Sequence, residues 1–106
     1  IVHQEIIPVA KDEDAESLYE KVNYAHINGI SIVIKILKSK ELKLIKQDNS
    51  LASYWNARKP EDGEIDWTWS EKKINDFIRA QTHPYPGAFT IIGGKKLIIW
   101  KGEVEK

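Results

Sequence analysis

Arg58 to Trp100 read RKPEDGEIDWTWSEKKINDFIRAQTHPYPGAFTIIGGKKLIIW, and this stretch carries its own punctuation. Lys59-Pro60-Glu61-Asp62-Gly63 is a turn signal, with Pro fixing φ and Gly tolerating a left-handed exit. Thr68 and Glu71 have the spacing of a capping box, and Ile74, Phe77 and Ile78 follow as an apolar stripe at i, i+3, i+4. A short helix, about Trp69 to Gln81, is expected, and Pro84 ends it. Beyond it, Ala88 to Ile92 and Lys96 to Trp100 flank Gly93-Gly94, the pair of glycines that a tight hairpin requires.

Working upstream, Lys40 to Glu64 loosens into a segment in which Leu42, Leu44, Leu51, Tyr54 and Trp55 are the anchoring side chains. Twenty-five residues without regular structure read as an extended surface strap laid over something else. Before the strap, Leu18, Val22, Ala25, Gly29, Val33 and Ile36 recur at helical spacing. A long helix, about Ala15 to Ser39, is expected, entered through an acidic cluster in which Asp12 or Asp14 is the N-cap. Gly29 and the β-branched run Ile30, Ile32, Val33, Ile34 weaken its middle, and a break near Asn28 is one expectation. At the front, Ile1 to Val9 alternate and are rich in β-branched residues until Pro8, which reads as a strand.

The whole chain is 106 residues with 42% hydrophobic side chains, enough for one domain with a core or for a piece of a larger one. It contains no Cys, so disulfide frameworks and Cys-based zinc sites are excluded. Sixteen Lys and Arg balance sixteen Asp and Glu, which argues against the basic footprint of a dedicated nucleic-acid binder. No apolar run nears the roughly 18 residues of a membrane span, and the start IVHQEIIPVA lacks the pattern of a signal peptide. A soluble, cytoplasmic protein is the expectation. A chain that opens on Ile and holds no Met reads as a fragment.

No nucleophile constellation assembles from these residues. His3, His26 and His83 are scattered without the spacing of a helical metal site, and no metal is expected. Asp12, Glu13, Asp14 and Glu16 lack the Gly and terminal Glu of a calcium loop and suit a helix N-terminus instead. Lys35, Lys38, Lys40, Lys43 and Lys46, relieved by Glu41, suit a helix C-terminus, with a phosphate-contacting patch as the sharper alternative. Trp55, Trp67, Trp69 and Trp100 are read first as core or interface residues, with stacking on a ligand second.

Several pieces of the chain, in order, resemble the folate-dependent formyltransferase family, which includes methionyl-tRNA formyltransferases and enzymes that formylate amino sugars of sugar nucleotides. The matching pieces are Ile65-Asp66-Trp67, the helix ending Ile78-Arg79-Ala80, PYPGAF at Pro84 to Phe89, and K-x-x-x-W at Lys96 to Trp100. Upstream, IVHQEIIPVAKDEDAESLYEKV is similar to the strand and helix that follow the family's catalytic aspartate, and Gln47 with Ser53-Tyr54 fits a looser spacer. The resemblance implies transfer of a formyl group from N10-formyltetrahydrofolate to a primary amine. In that family an Asn-x-His stretch and an Asp supply the chemistry, a base for the amine and a donor for the oxyanion. None of the three matches a position here, so no catalytic residue is assigned and the chain alone is expected to be inactive.

The fold expected is therefore an α+β fragment of strand, long helix, extended strap, short helix and β-hairpin. By resemblance it is the C-terminal part of a Rossmann-like α/β formyltransferase. Residues 1–83 are expected to close the catalytic domain and 84–106 to open the following subdomain. Two residues are singled out for substrate binding. Arg79 lies at the edge of the apolar stripe, where its fork reaches a phosphate or carboxylate of substrate, or else it serves as a structural pair with Asp66 or as a charge at the helix C-terminus. Tyr85 stands between two prolines that fix its backbone, either packed or presented to a ligand. The acceptor expected is an amino-sugar nucleotide, with initiator tRNA as the alternative. Cofactor-contacting residues remain unassigned. The remaining partners are the rest of a formyltransferase chain and, compatibly, a second copy in a homodimer. The rival of another class is a noncatalytic binding or oligomerisation module.

Overall fold

The computed structural model of the chain describes residues 1–40 and 42–105; Glu41, inside the expected strap, and Lys106 lie outside the described residues. Among the described residues the fold class is α+β, with two α-helices and one two-stranded antiparallel sheet: α1 (Ala15–Ser39), α2 (Glu71–Gln81), β1 (Ala88–Ile92) and β2 (Lys95–Ile99). Two compact units divide the chain, one made of Ile1–Val9 and Tyr19–Asn56, the other of Ala10–Leu18 and Ala57–Lys106.

In the first unit the expected strand Ile1 to Val9 is not a strand. Ile1 and Ile45 exchange two backbone hydrogen bonds, at 2.7 and 3.0 Å, but residues 2–9 join no ladder among the described residues. Alternation qualifies a segment for a sheet, and a neighbouring backbone must then supply the ladder. Residues 3–7 run along α1 instead: Asn28 Nδ2 donates to Glu5 Oε1 at 2.7 Å, and His3 Nε2 lies 3.2 Å from the same oxygen. Helix α1 runs unbroken through Asn28, so the break expected there is absent. A Cβ on Gly29 would sit 3.5 Å from the His3 ring, so the weakest helix former lies where the overlying segment touches the helix. No residue of α1 is buried, and its C-terminus is followed by Lys40 in the left-handed region, at φ 59°.

The described residues of the strap include two single 3-10 turns, Asn49–Leu51 and Pro60–Gly63, and the strap ends in the second unit. There α1 begins on Asp14, whose Oδ1 accepts from the Ser17 N–H at 2.9 Å. Helix α2 starts two residues later than expected, because its N-cap is Ser70 rather than Thr68. The Thr68 N–H and hydroxyl are both taken by Asp66 Oδ1, at 2.9 and 2.6 Å, so that local turn removes Thr68 from the capping competition. The stripe of α2 then packs as its spacing requires: Ile78 is buried with Ile65 and Ala88, and Ile74, Phe77 and Ile99 close around them. The hairpin pairs Ile92 with Lys95 and Ala88 with Ile99, one residue earlier on its second strand than expected. Gly93 and Gly94 both have positive φ, 56° and 73°, which a two-residue turn of this hand requires. The free edge of β1 is partly covered, since the Ile65 N–H donates to Phe89 O at 2.8 Å.

Candidate functional site

Two loops of the second unit are locked together by glycines, and a cleft lies between them. The Pro60–Gly63 turn is closed by Asp62, which donates its N–H to Lys59 O at 3.0 Å and accepts the Lys59 N–H on Oδ2 at 2.7 Å. In the loop after α2, the Tyr85 N–H reaches Thr82 O and the Gly87 N–H reaches Gln81 O, both at 3.0 Å. A Cβ on Gly63 would lie 2.8 Å from Gly87 O, and one on Gly87 would lie 2.6 Å from Ile98 Cγ2. Only glycine at both positions lets the two backbones and the hairpin approach this closely. His83 stacks on Trp100 with centroids 4.1 Å apart and rings 10° from parallel, which pins the loop's other end.

The cleft so formed has a volume of about 500 Å³ and is lined by Arg58, Lys59, Pro60, Ala80, Gln81, Tyr85, Pro86 and Gly87. Its lining carries two cations and no carboxylate. Arg58 is held from behind, with Nη2 donating to Asp62 O at 2.9 Å and the guanidinium carbon 5.7 Å from the Phe77 ring centroid. Tyr85 is half exposed on the opposite wall.

The structure thus separates the two residues singled out from the sequence. Tyr85 lines the cleft, whereas Arg79 is not among the lining residues and is engaged elsewhere. Arg79 Nη1 donates to Glu13 O, and Nη2 to Asp76 Oδ1 at 2.6 Å. Its ion-pair partner is Asp76, one turn back on α2, and not Asp66. Lys72 bonds the other Asp76 oxygen, and these two cations hold the Asp76 carboxyl below its ordinary range, Lys72 first. Arg58 and Lys59 were legible only as flanks of a turn signal, because nothing in their spacing says that a loop more than twenty residues on will face them.

The other hollows have different chemistry. In the first unit, a groove of about 450 Å³ over α1 is mainly apolar, lined among others by Val22, Gly29 and Val33, with His3 and Glu5 at its polar side. Among the described residues no three His, Cys, Asp or Glu converge as a metal site would need. The described helices include none long and apolar enough to cross a membrane.

Comparison with known proteins agrees with the geometry of the second unit. The family described as formyl transferase, C-terminal domain, matches residues 58–106, which are the turn, α2, the loop and the hairpin. The bifunctional polymyxin resistance protein ArnA of Wigglesworthia glossinidia brevipalpis is 35% identical over 104 residues, which is 98% of this chain and 16% of that protein. Among solved structures, a methionyl-tRNA formyltransferase from Clostridium thermocellum superposes with a TM-score of 0.56 at 32% identity, covering 68% of this chain and 32% of the other. The chain therefore spans about a sixth of one relative's length and about a third of the other's.

Proposed function

Because the chain belongs to the formyltransferase family and matches its C-terminal part, we propose that it serves an intact enzyme that moves a formyl group from N10-formyltetrahydrofolate to a primary amine. The observation that carries this reading is the ordered match over 98% of the chain to one relative, joined to a glycine-locked cleft inside the matched segment. The acceptor is the amino sugar of a sugar nucleotide. Tyr85 borders the acceptor side of the intact active site, Arg79 stands beside it with its fork engaged by Glu13 O and Asp76, and the residues that do the chemistry belong to other parts of that enzyme. A cytoplasmic location goes with this role. Methionyl-tRNA is the second acceptor to test, favoured by the structural neighbour.

The test is kinetic. The intact enzyme is assayed for formylation of amino-sugar nucleotides and of methionyl-tRNA, and the 106-residue chain is assayed in parallel. Turnover of the sugar nucleotide by the intact enzyme, with none by the chain alone, is the expected result. Tyr85→Ala is expected to raise the acceptor KM by up to about tenfold through loss of a stacking contact, and Arg79→Ala to raise it while also lowering the melting temperature, because its fork holds Glu13 O and Asp76. A lower melting temperature for Arg79→Ala with unchanged acceptor kinetics would assign Arg79 to structure alone, through Glu13 O and Asp76. Turnover by the isolated chain on the order of 1 per second would overturn the division of labour.

A further inference from the structure

We propose that the cleft between the 60–63 turn and the 82–87 loop binds the diphosphate of a nucleotide, with Arg58 and Lys59 on the phosphate oxygens and Tyr85 against the attached ring. The inference rests on the reading of the acceptor as a sugar nucleotide and names the part of the chain that holds it. Three features of the cleft point to this ligand. The first is charge: in a chain of formal net charge zero, two adjacent cations line one cleft, and the acidic residues beside them, Glu61 and Asp62, do not line it. Asp62 instead spends its carboxylate on the Lys59 N–H, within the turn.

The second is preorganisation. Arg58 is braced by Asp62 O and by the Phe77 ring, and a guanidinium has five N–H donors, of which this bracing names one. Planar donors held from behind suit two phosphate oxygens at once, and a lysine ammonium adds a point charge beside them. The walls hold their spacing because Gly63 packs on Gly87 O. The third is size and lining. About 500 Å³ lies in the range of small-ligand clefts, and the wall facing the cations is aromatic and proline-bounded, with the Gln81 amide next to it. A diphosphate alone would leave that wall unused, whereas a nucleotide's ring covers it.

Calorimetric titration of the intact enzyme with UDP, dTDP and inorganic pyrophosphate tests this, using wild type, Lys59→Met, Arg58→Gln and Tyr85→Ala. Lys59→Met keeps the backbone N–H that closes the turn, and thermal melts of each variant confirm folding. A nucleoside diphosphate is expected to bind more tightly than pyrophosphate. Lys59→Met and Arg58→Gln are each expected to weaken both by about tenfold or more, with a shallower salt dependence, since each removes a charge-assisted contact. Tyr85→Ala is expected to weaken the nucleotide and leave pyrophosphate unchanged. Undiminished nucleotide affinity in folded Lys59→Met and Arg58→Gln, or no binding of any of the three at millimolar concentration, would overturn the proposal. The two readings separate cleanly. Sugar-nucleotide formylation at unchanged KM in Lys59→Met and Arg58→Gln sinks the cleft and leaves the function. Nucleotide binding that depends on both cations, without formylation of any sugar nucleotide, sinks the function and leaves the cleft.

Discussion

Gly87 is the residue on which the cleft depends. It sits at φ 91°, where a side chain is strained, and a Cβ there would meet Ile98 at 2.6 Å and Trp100 at 2.9 Å. Gly87→Ala is expected to cost about 2–4 kcal/mol in denaturant unfolding, combining the backbone penalty with overpacking against the hairpin. The hairpin glycines face open space, so Gly93→Ala or Gly94→Ala should cost only the backbone part, about 1–2 kcal/mol each. Equal costs at Gly87 and Gly93 would show that the loop is not packed on Ile98 and Trp100.

Among the described residues, four aspartates contribute to the response to acid at this same scale. Asp14 is held below its ordinary value of 3.8 chiefly by the Ser17 N–H, Asp48 and Asp66 by the hydroxyls of Ser50 and Thr68, and Asp76 by Lys72 and then Arg79. Folded pKa values below unfolded ones mean that the folded chain binds fewer protons. The stability these groups contribute is complete above about 3.8 and is lost as pH falls through their folded values. The melting temperature is expected to be level from pH 7 to about 5 and to fall below about 4, and a curve that stays level down to pH 2.5 would contradict it.

At the scale of elements, α1 ends on a non-glycine left-handed residue, Lys40, where helices commonly place Gly. Lys40→Gly should therefore stabilise by a few tenths to about 1 kcal/mol, the relief of the backbone exceeding the entropy that glycine adds to the unfolded chain. Helix α2 is held differently, through its stripe. Ile78 is 4% exposed beside Ile65 and Ala88, and Ile78→Ala is expected to cost about 2–5 kcal/mol. Ile30 on α1 is 61% exposed, so Ile30→Ala should change stability by less than about 0.5 kcal/mol, and urea titrations of both variants compare the two helices directly.

For the whole molecule, burial is unevenly shared. The buried hydrophobic residues Ile65, Ile78, Ala88 and Phe89 all belong to the second unit, while no residue of α1 is buried. Local opening needs little free energy where few apolar contacts break, so amide exchange should be fast along Tyr24 to Leu37 and slow in α2 and β1. Uniform protection across both units would refute this division. The sequence alone specifies what depends on neighbours along the chain: the extent of α1, the stripe of α2, the glycine turn of the hairpin and the ordered motifs that carry the family resemblance. Its errors fell where distant backbone decides. Ile1–Val9 alternate like a strand yet lie along α1 beyond Ile1, because a ladder needs a partner that periodicity cannot name. Thr68 lost the cap to Ser70 through a turn with Asp66. Arg79 and Tyr85 are six residues apart, yet the fold sends the first to Asp76 and Glu13 and the second to face Arg58 and Lys59 across a cleft. Only tertiary structure sets those pairings, because they rest on the close approach of two backbones at Gly63 and Gly87, a distance that no local pattern encodes.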